Sequence, residues 1–210
     1  MPDFLLFDAA KAGKNLHKAT ALNAANQSLY KGGPNEALHG IAPHLFTLEP
    51  KRDFENWFVK EGWGNAWGLI VKAPVPFEEL VKHFCKLLII KTEKGAKLNF
   101  RFYDPRVLRI FLPTCDKEQL KEFFGPVKTF IMEDEDPAYA LQFWLQNLEL
   151  TSRRFPASEL FGGLAPVVKM QQSVQVAKTE SKIETTSPEK DSTKATPEPA
   201  PVEIKKRRFF

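Results

Sequence analysis

The chain has 210 residues, 30 Lys+Arg against 26 Asp+Glu, and a 43% hydrophobic, 12% aromatic composition, enough for one core of ordinary size plus an appendage. Residues 1–150 hold 19 basic and 19 acidic residues and are formally neutral, so the whole +4 belongs to the 11 basic and 7 acidic residues from Thr151 onward. The basic character therefore does not argue for a nucleic-acid-binding domain, which needs a basic face on its folded part. No apolar run reaches the roughly 18 residues of a membrane span. The opening MPDFLLFDAA lacks a basic n-region, so no signal peptide is expected, and the chain reads as cytoplasmic. Cys85 and Cys115 form neither a disulfide framework nor a metal motif and read as structural thiols.

In chain order, Phe4–Phe7 is a short apolar run that predicts a buried strand. Ala9–Asn23, with Leu16, Ala19 and Leu22 at helical spacing, predicts a helix. Ser28–Lys31 predicts a short strand closed by Gly32-Gly33-Pro34, Asn35–Leu38 a helical turn, and His44–Leu48 another strand. Pro50–Gly62 predicts a helix with Phe54, Trp57 and Phe58 on its apolar stripe and Gly62 as its stop. Trp67–Lys72 reads as a strand cut off by Pro74 and Pro76. Phe77–Phe84 reads as an amphipathic helix with Glu78 and Glu79 in its first turn.

Leu87–Lys91 and Leu98–Tyr103 read as two strands joined by a hairpin. In the second, Leu98, Phe100 and Phe102 alternate with Asn99, Arg101 and Tyr103, which predicts one buried and one polar face. Asp104-Pro105 ends that strand and opens a helix as N-cap and first helical residue. Val107, Leu108, Ile110, Phe111 and Leu112 form its apolar side, and Pro113 its end. Asp116 to Gln119 has capping-box spacing for a helix over Leu120–Phe124. Val127–Met132 predicts a strand. Pro137–Leu150 predicts a final helix, on Leu141, Trp144, Leu145 and Leu148.

The interleaving predicts an α/β fold, with α+β possible: one domain over 1–150 with a mixed sheet covered by helices. A linker over 151–170 and a disordered tail over 171–210 follow, the latter dominated by Lys, Glu, Ser, Thr and Pro. The tail ends in the basic–aromatic KKRRFF.

FRFYDPRVLRIFLPTCD, preceded by EGWGNAWGLIVKAP and followed by EFFGPV and EDED, resembles the adaptor/chaperone family of type VI secretion, long known only as a domain of unknown function. The resemblance runs from about Phe4 to Asp136. It implies a non-catalytic, cofactor-free protein whose partners are a secreted effector and a VgrG-like spike. The family's larger members carry a folded second lobe, for which Thr151–Phe210 is too short and too polar.

Two groups of residues are candidates for partner binding. Arg101, Tyr103, Asp104 and Arg106 cluster at the strand-to-helix turn, and Arg and Tyr are enriched at interface hot spots. The bland alternative is a local network in which Asp104 caps the helix and an arginine pairs with Glu133 or Asp134, contributing little at a surface. The second is Trp63, in the glycine-flanked Gly62-Trp63-Gly64-Asn65-Ala66-Trp67-Gly68, read as an exposed anchor. The acidic run Glu133–Asp136 reads as a solvated edge.

An enzyme of unknown chemistry on an α/β scaffold is the alternative function. Against it stand the lack of a nucleophile elbow, P-loop or dinucleotide fingerprint and the scatter of His17, His39, His44 and His83 over separate elements. KKRRFF reads as inert, as an electrostatic contact or as a short peptide captured by a partner.

Overall fold

A computed structural model of the chain describes residues 3–33, 36–48, 52–91, 96–161 and 208–209, which fall in one compact unit. Strand β1 (Asp3–Asp8) ends at Asp8, which turns the chain into α1 (Ala9–Ala12) as its N-cap. Gly13, at φ +58, stops α1, so the one helix expected here is two, with α2 (Asn15–Leu22) following. Then come β2 (Asn26–Ser28), a 3-10 turn at Glu36–Ile41, and β3 (Pro43–Thr47). Helix α3 (Arg52–Trp57) runs into a π turn, Phe58–Gly62, before β4 (Gly68–Lys72). Helix α4 (Phe77–Leu87) leads into the hairpin β5 (Ile89–Lys91) and β6 (Lys97–Asn99). Helix α5 (Pro105–Phe111) opens on Asp104-Pro105, and α6 (Lys117–Phe124) carries the predicted Asp116–Gln119 capping box. The remaining elements are β7 (Thr129–Glu133), β8 (Tyr139–Gln146), β9 (Glu149–Pro156), α7 (Ala157–Leu160) and β10 (Arg208–Phe209).

The main sheet has the order β2-β3-β1-β4-β7-β8-β9, and a smaller one the order β10-β5-β6. Every pairing among the described strands is antiparallel. The fold is thus the α+β variant of the expected class, its sheet antiparallel rather than mixed. Both faces of the main sheet are covered. Phe4, Leu6, Leu69, Val71, Phe130 and Met132 join one core with residues of α4, α5 and α6. Leu5, Phe7, Ile70 and Ile131 join the other with Phe54, Trp57 and Trp63. Double coverage is why the central strands are unbroken apolar runs rather than alternating ones. Burial of each such side chain contributes about 1.5–3 kcal/mol. At Gly68 a Cβ would sit 2.2 Å from the Leu6 carbonyl oxygen, so only glycine lets β4 lie against β1 there.

Three expectations are corrected. Strand β6 stops at Asn99, and Phe100, Phe102 and Tyr103 all turn inward while Leu98 is exposed. Phe100 packs on Phe111 of α5 and Phe123 of α6, and Phe102 on Phe84 of α4 and Phe123, so rings of both parities are buried and the alternation is lost. Ile110, counted on the apolar side of α5, faces solvent. Pro137–Leu150 is not a helix but most of the β8–β9 hairpin, with Gln146 opposite Glu149. Asn147 and Leu148 make its two-residue turn, both at positive φ (53 and 62), the type I′ geometry. Consequently the boundary at Leu150 falls inside β9, whose Phe155 is buried in the core, and regular structure continues to Leu160. The expected tail, 171–210, lies outside the described residues except for Arg208 and Phe209. No helix among the described residues is long and apolar enough to cross a membrane.

Candidate functional site

The site grows from two carboxylates at element ends. Asp8, fully buried, closes β1; its Oδ1 accepts the Lys11 backbone N–H at 3.0 Å as the α1 cap, leaving Oδ2 for Arg101 Nη2 at 2.5 Å. Asp104 caps α5 by accepting the Arg106 backbone N–H at 3.0 Å. The same carboxylate takes a fork from the Arg106 side chain, Nε on Oδ1 at 3.0 Å and Nη2 on Oδ2 at 2.7 Å. Arg101 Nη2 lies 3.7 Å from Asp104 Oδ2, so one guanidinium bridges both acids. The ordering cost of a two-point guanidinium contact is small because the fork is planar and pre-shaped.

Burial opposes ionisation of Asp104, but the hydrogen bonds and charge of Arg106, with Arg101 behind, outweigh it and hold the carboxyl below its usual range. Burial likewise works against the Arg101 cation, and the bond and charge of Asp8 more than reverse it. The Arg106 guanidinium is pushed further up, chiefly by its hydrogen bond to Asp104. Tyr103 is buried beneath, with Arg101 5.9 Å from its ring centre; burial first, then the neighbouring Tyr30 and Asp8, push its phenol well up.

The second part of the site is the glycine–tryptophan loop. Glu133, at the end of β7 and buried, reaches across to it: Oε2 accepts Gly64 N–H at 2.6 Å and Oε1 accepts Ala66 N–H at 3.0 Å. Ala66 is at φ +55, a conformation that costs an L-residue about 1–2 kcal/mol. The bend points the donors of Gly64 and Ala66, two residues apart, at one carboxylate. Burial pushes the Glu133 carboxyl up to about 7 despite those two bonds and the nearby Arg109. Arg109, on α5, faces Glu135 at 3.7 Å.

Of the residues expected at a docking face, the fold joins Arg101, Asp104 and Arg106, with Arg101 and Arg106 about half exposed and Asp104 beneath them. Tyr103 is beside them but buried, not on a polar strand face. Trp63 is not an exposed anchor: it is 1% exposed, donates its indole N–H to Pro137 O at 2.8 Å and meets the Phe161 ring edge-on at 4.9 Å. An indole with its one donor satisfied gains most by full burial. The expected arginine partners also differ. Glu133 holds the loop, Asp134 pairs with Arg154 at 2.6 Å, and Asp136 accepts the Ala138 N–H at 3.0 Å, so the acidic run is structural rather than a plain solvated edge.

Asp8, Arg109 and Ile110 were missed. Asp8 carried one signal, an acid ending a buried strand, but its partner lies 93 residues away. Ile110, 67% exposed, stands one turn beyond Arg106, so α5 shows solvent a cation and an apolar side chain four residues apart, on one face. No group of three or more His, Cys, Asp or Glu among the described residues is placed to hold a metal ion.

The loop 62–68 is held by Glu133 of the acidic run, Arg109 on the helix that the 101–106 turn opens faces Glu135 of the same run, and the model of one protein family spans most of this arrangement. It is described as a domain of unknown function, DUF4123, and matches residues 4–122. The chain belongs to this family. No curated protein and no solved structure matches. In this DUF4123 chain Asp8, the loop, Arg101, Asp104, Arg106 and Arg109 lie inside the matched span, while Glu133, which fastens the loop, lies just beyond it.

Proposed function

We propose that the chain is a non-catalytic adaptor/chaperone that binds a type VI secretion effector and helps load it onto a VgrG-like spike in the bacterial cytoplasm. It acts stoichiometrically, without cofactor, by covering effector surface and shifting its folding and assembly by mass action. The observation that carries this reading is that three of the four sequence blocks that resemble that family lie at this site. They build two adjoining clusters, the Glu133–loop clamp and the Asp8–Arg101–Asp104–Arg106 charges, with Arg109 of α5 facing Glu135 between them, and the second cluster presents Arg101 and Arg106 to solvent with Ile110 one turn further on. Anchored guanidinium groups beside an exposed aliphatic side chain combine low ordering cost with apolar contact, the composition of a binding hot spot. Asp8 and Asp104 would then be positioning residues, and Trp63 and Tyr103 part of the scaffold beneath.

The test is co-expression of the tagged full chain with the proteins encoded beside it, followed by affinity recovery and titration. Stoichiometric recovery of an effector-like or spike-like partner is expected, weakened about tenfold by Arg106→Ala or by Ile110→Asp. Charge reversal at Arg106 is the poorer probe, because it would set a second carboxylate against Asp104. Normal partner binding by both variants, with folding intact, would remove this face from the proposal. Recovery of no partner at all would turn attention to an enzyme on the same scaffold.

A further inference from the structure

The small sheet carries an inference that does not depend on the proposed function. Strand β5 is its central strand, paired with β6 on one side and with the chain's own β10 on the other. The β10 register sets Arg208 opposite Lys91 and Phe209 opposite Ile90, antiparallel. Ile90 is buried, and β5 and β6 have three residues each. A two-stranded ribbon that short is marginal alone, and a third strand supplies the missing backbone partners. Beside the first residue of β5 lies a cavity of about 230 Å3, lined by Leu29, Cys85, Leu88 and Ile89 with the turn Tyr30–Gly33. A strand edge that takes an extended segment is one arrangement by which domains bind peptides: main-chain bonds supply affinity and nearby side-chain pockets supply selectivity.

We infer that the outer edge of β5 is a peptide-docking site that the chain's own C-terminal strand occupies in cis, as a displaceable plug. The occupant comes from within the chain. Residues 161–207 join α7 to β10, a span that reaches about 150 Å when extended, far more than the distance across one domain. Tethering raises the local concentration of the strand to on the order of millimolar at most, so even weak pairing fills the edge. The plug is nevertheless a poor match. The backbone register sets Arg208 opposite Lys91, and like charges at opposed positions of two strands are destabilising. A competing extended segment with an acidic residue opposite Lys91 and an apolar one opposite Ile90 would fit better, and such a segment is the ligand chemistry assigned to the edge.

The experiment uses the full chain, a full-length Arg208→Pro/Phe209→Pro double variant, and a labelled synthetic peptide of residues 202–210. Proline removes the backbone donor whichever of the two positions is hydrogen-bonded. Amide exchange at residues 89–91 should accelerate at least about tenfold in the double variant and be restored by added peptide. The peptide should bind the double variant at least about tenfold more tightly than it binds the wild type, whose edge is filled. The same peptide carrying R208E should bind about two- to fivefold more tightly still. Full-length Arg208→Glu should slow exchange at 89–91, an independent check in the opposite direction. Equal peptide binding by wild type and double variant overturns the proposal, as does unchanged exchange at 89–91 in both variants. A concentration-dependent dimer of the wild type that the prolines abolish would overturn occupancy in cis, placing the strand on a second copy.

Discussion

Replacing Asp104 by alanine should destabilise the domain by about 2 kcal/mol. The cap on α5 is lost, typically about 1 kcal/mol. The two side-chain bonds from Arg106 are lost as well. Bonds to charged groups contribute about 1.5–3 kcal/mol when buried, but both guanidinium groups here are close to half exposed, which reduces that part to about 1 kcal/mol. Asp104→Asn separates the two contributions, because asparagine caps as well as aspartate and lacks the charge; it should cost about 1 kcal/mol. Equilibrium urea unfolding measures both, and a domain of this size should lose about 4–8 °C in Tm for the alanine variant. The Asp104 carboxyl is depressed in the folded chain, so its stabilisation is complete above the ordinary value of 3.8 and is lost as pH falls through the folded value. The stability gap between wild type and Asp104→Ala should therefore be constant above about pH 5 and narrow in acid. An asparagine variant as unstable as the alanine one, or a gap that persists in full at pH 2, would refute the charged clamp.

Arg101→Ala strands the fully buried Asp8 without its cation and should cost about 2–3 kcal/mol in urea unfolding, below the usual buried-pair value because Arg101 itself reaches solvent. Glu133 shows the opposite pH sign to Asp104. With its folded carboxyl raised from the usual 4.5 to about 7, the folded state holds the proton more tightly, so wild-type stability should decline by about 2–3 kcal/mol as pH rises from about 4.5 to 7. That component should vanish in Glu133→Gln, which should also loosen the loop, since its NH2 group must face one of the Gly64 and Ala66 donors; denaturation series across this window read the first effect and amide exchange at 64–66 the second. Leu148→Gly should stabilise by about 1 kcal/mol, read as a raised urea midpoint, because the turn holds Leu148 at φ 62 with its side chain half exposed.

Features that depend on a few neighbouring residues were readable from the chain alone. The Asp104-Pro105 cap, the Asp116–Gln119 capping box and the apolar runs of β1, β3, β4 and β7 are local chemistry, satisfied within a turn or by simple burial. The β8–β9 hairpin was unreadable for two physical reasons. Its turn is Asn-Leu without glycine, and its apolar residues do not keep to one parity: Leu141 and Leu145 pack on one core, Trp144 has the opposite parity and Leu148 sits in the exposed turn, so that the four imitate a helical stripe. For the site, the sequence by itself determined the residues of the turn cluster and the capping role of Asp104. Only the tertiary structure decided which charges meet: Asp8 with Arg101 across 93 positions, and Glu133 with the loop across 67 and 69. It also decided that Trp63 and Tyr103 lie inside while Ile110 lies outside. Periodicity tells which side chains share a face, but whether that face meets solvent depends on what packs against it from far along the chain.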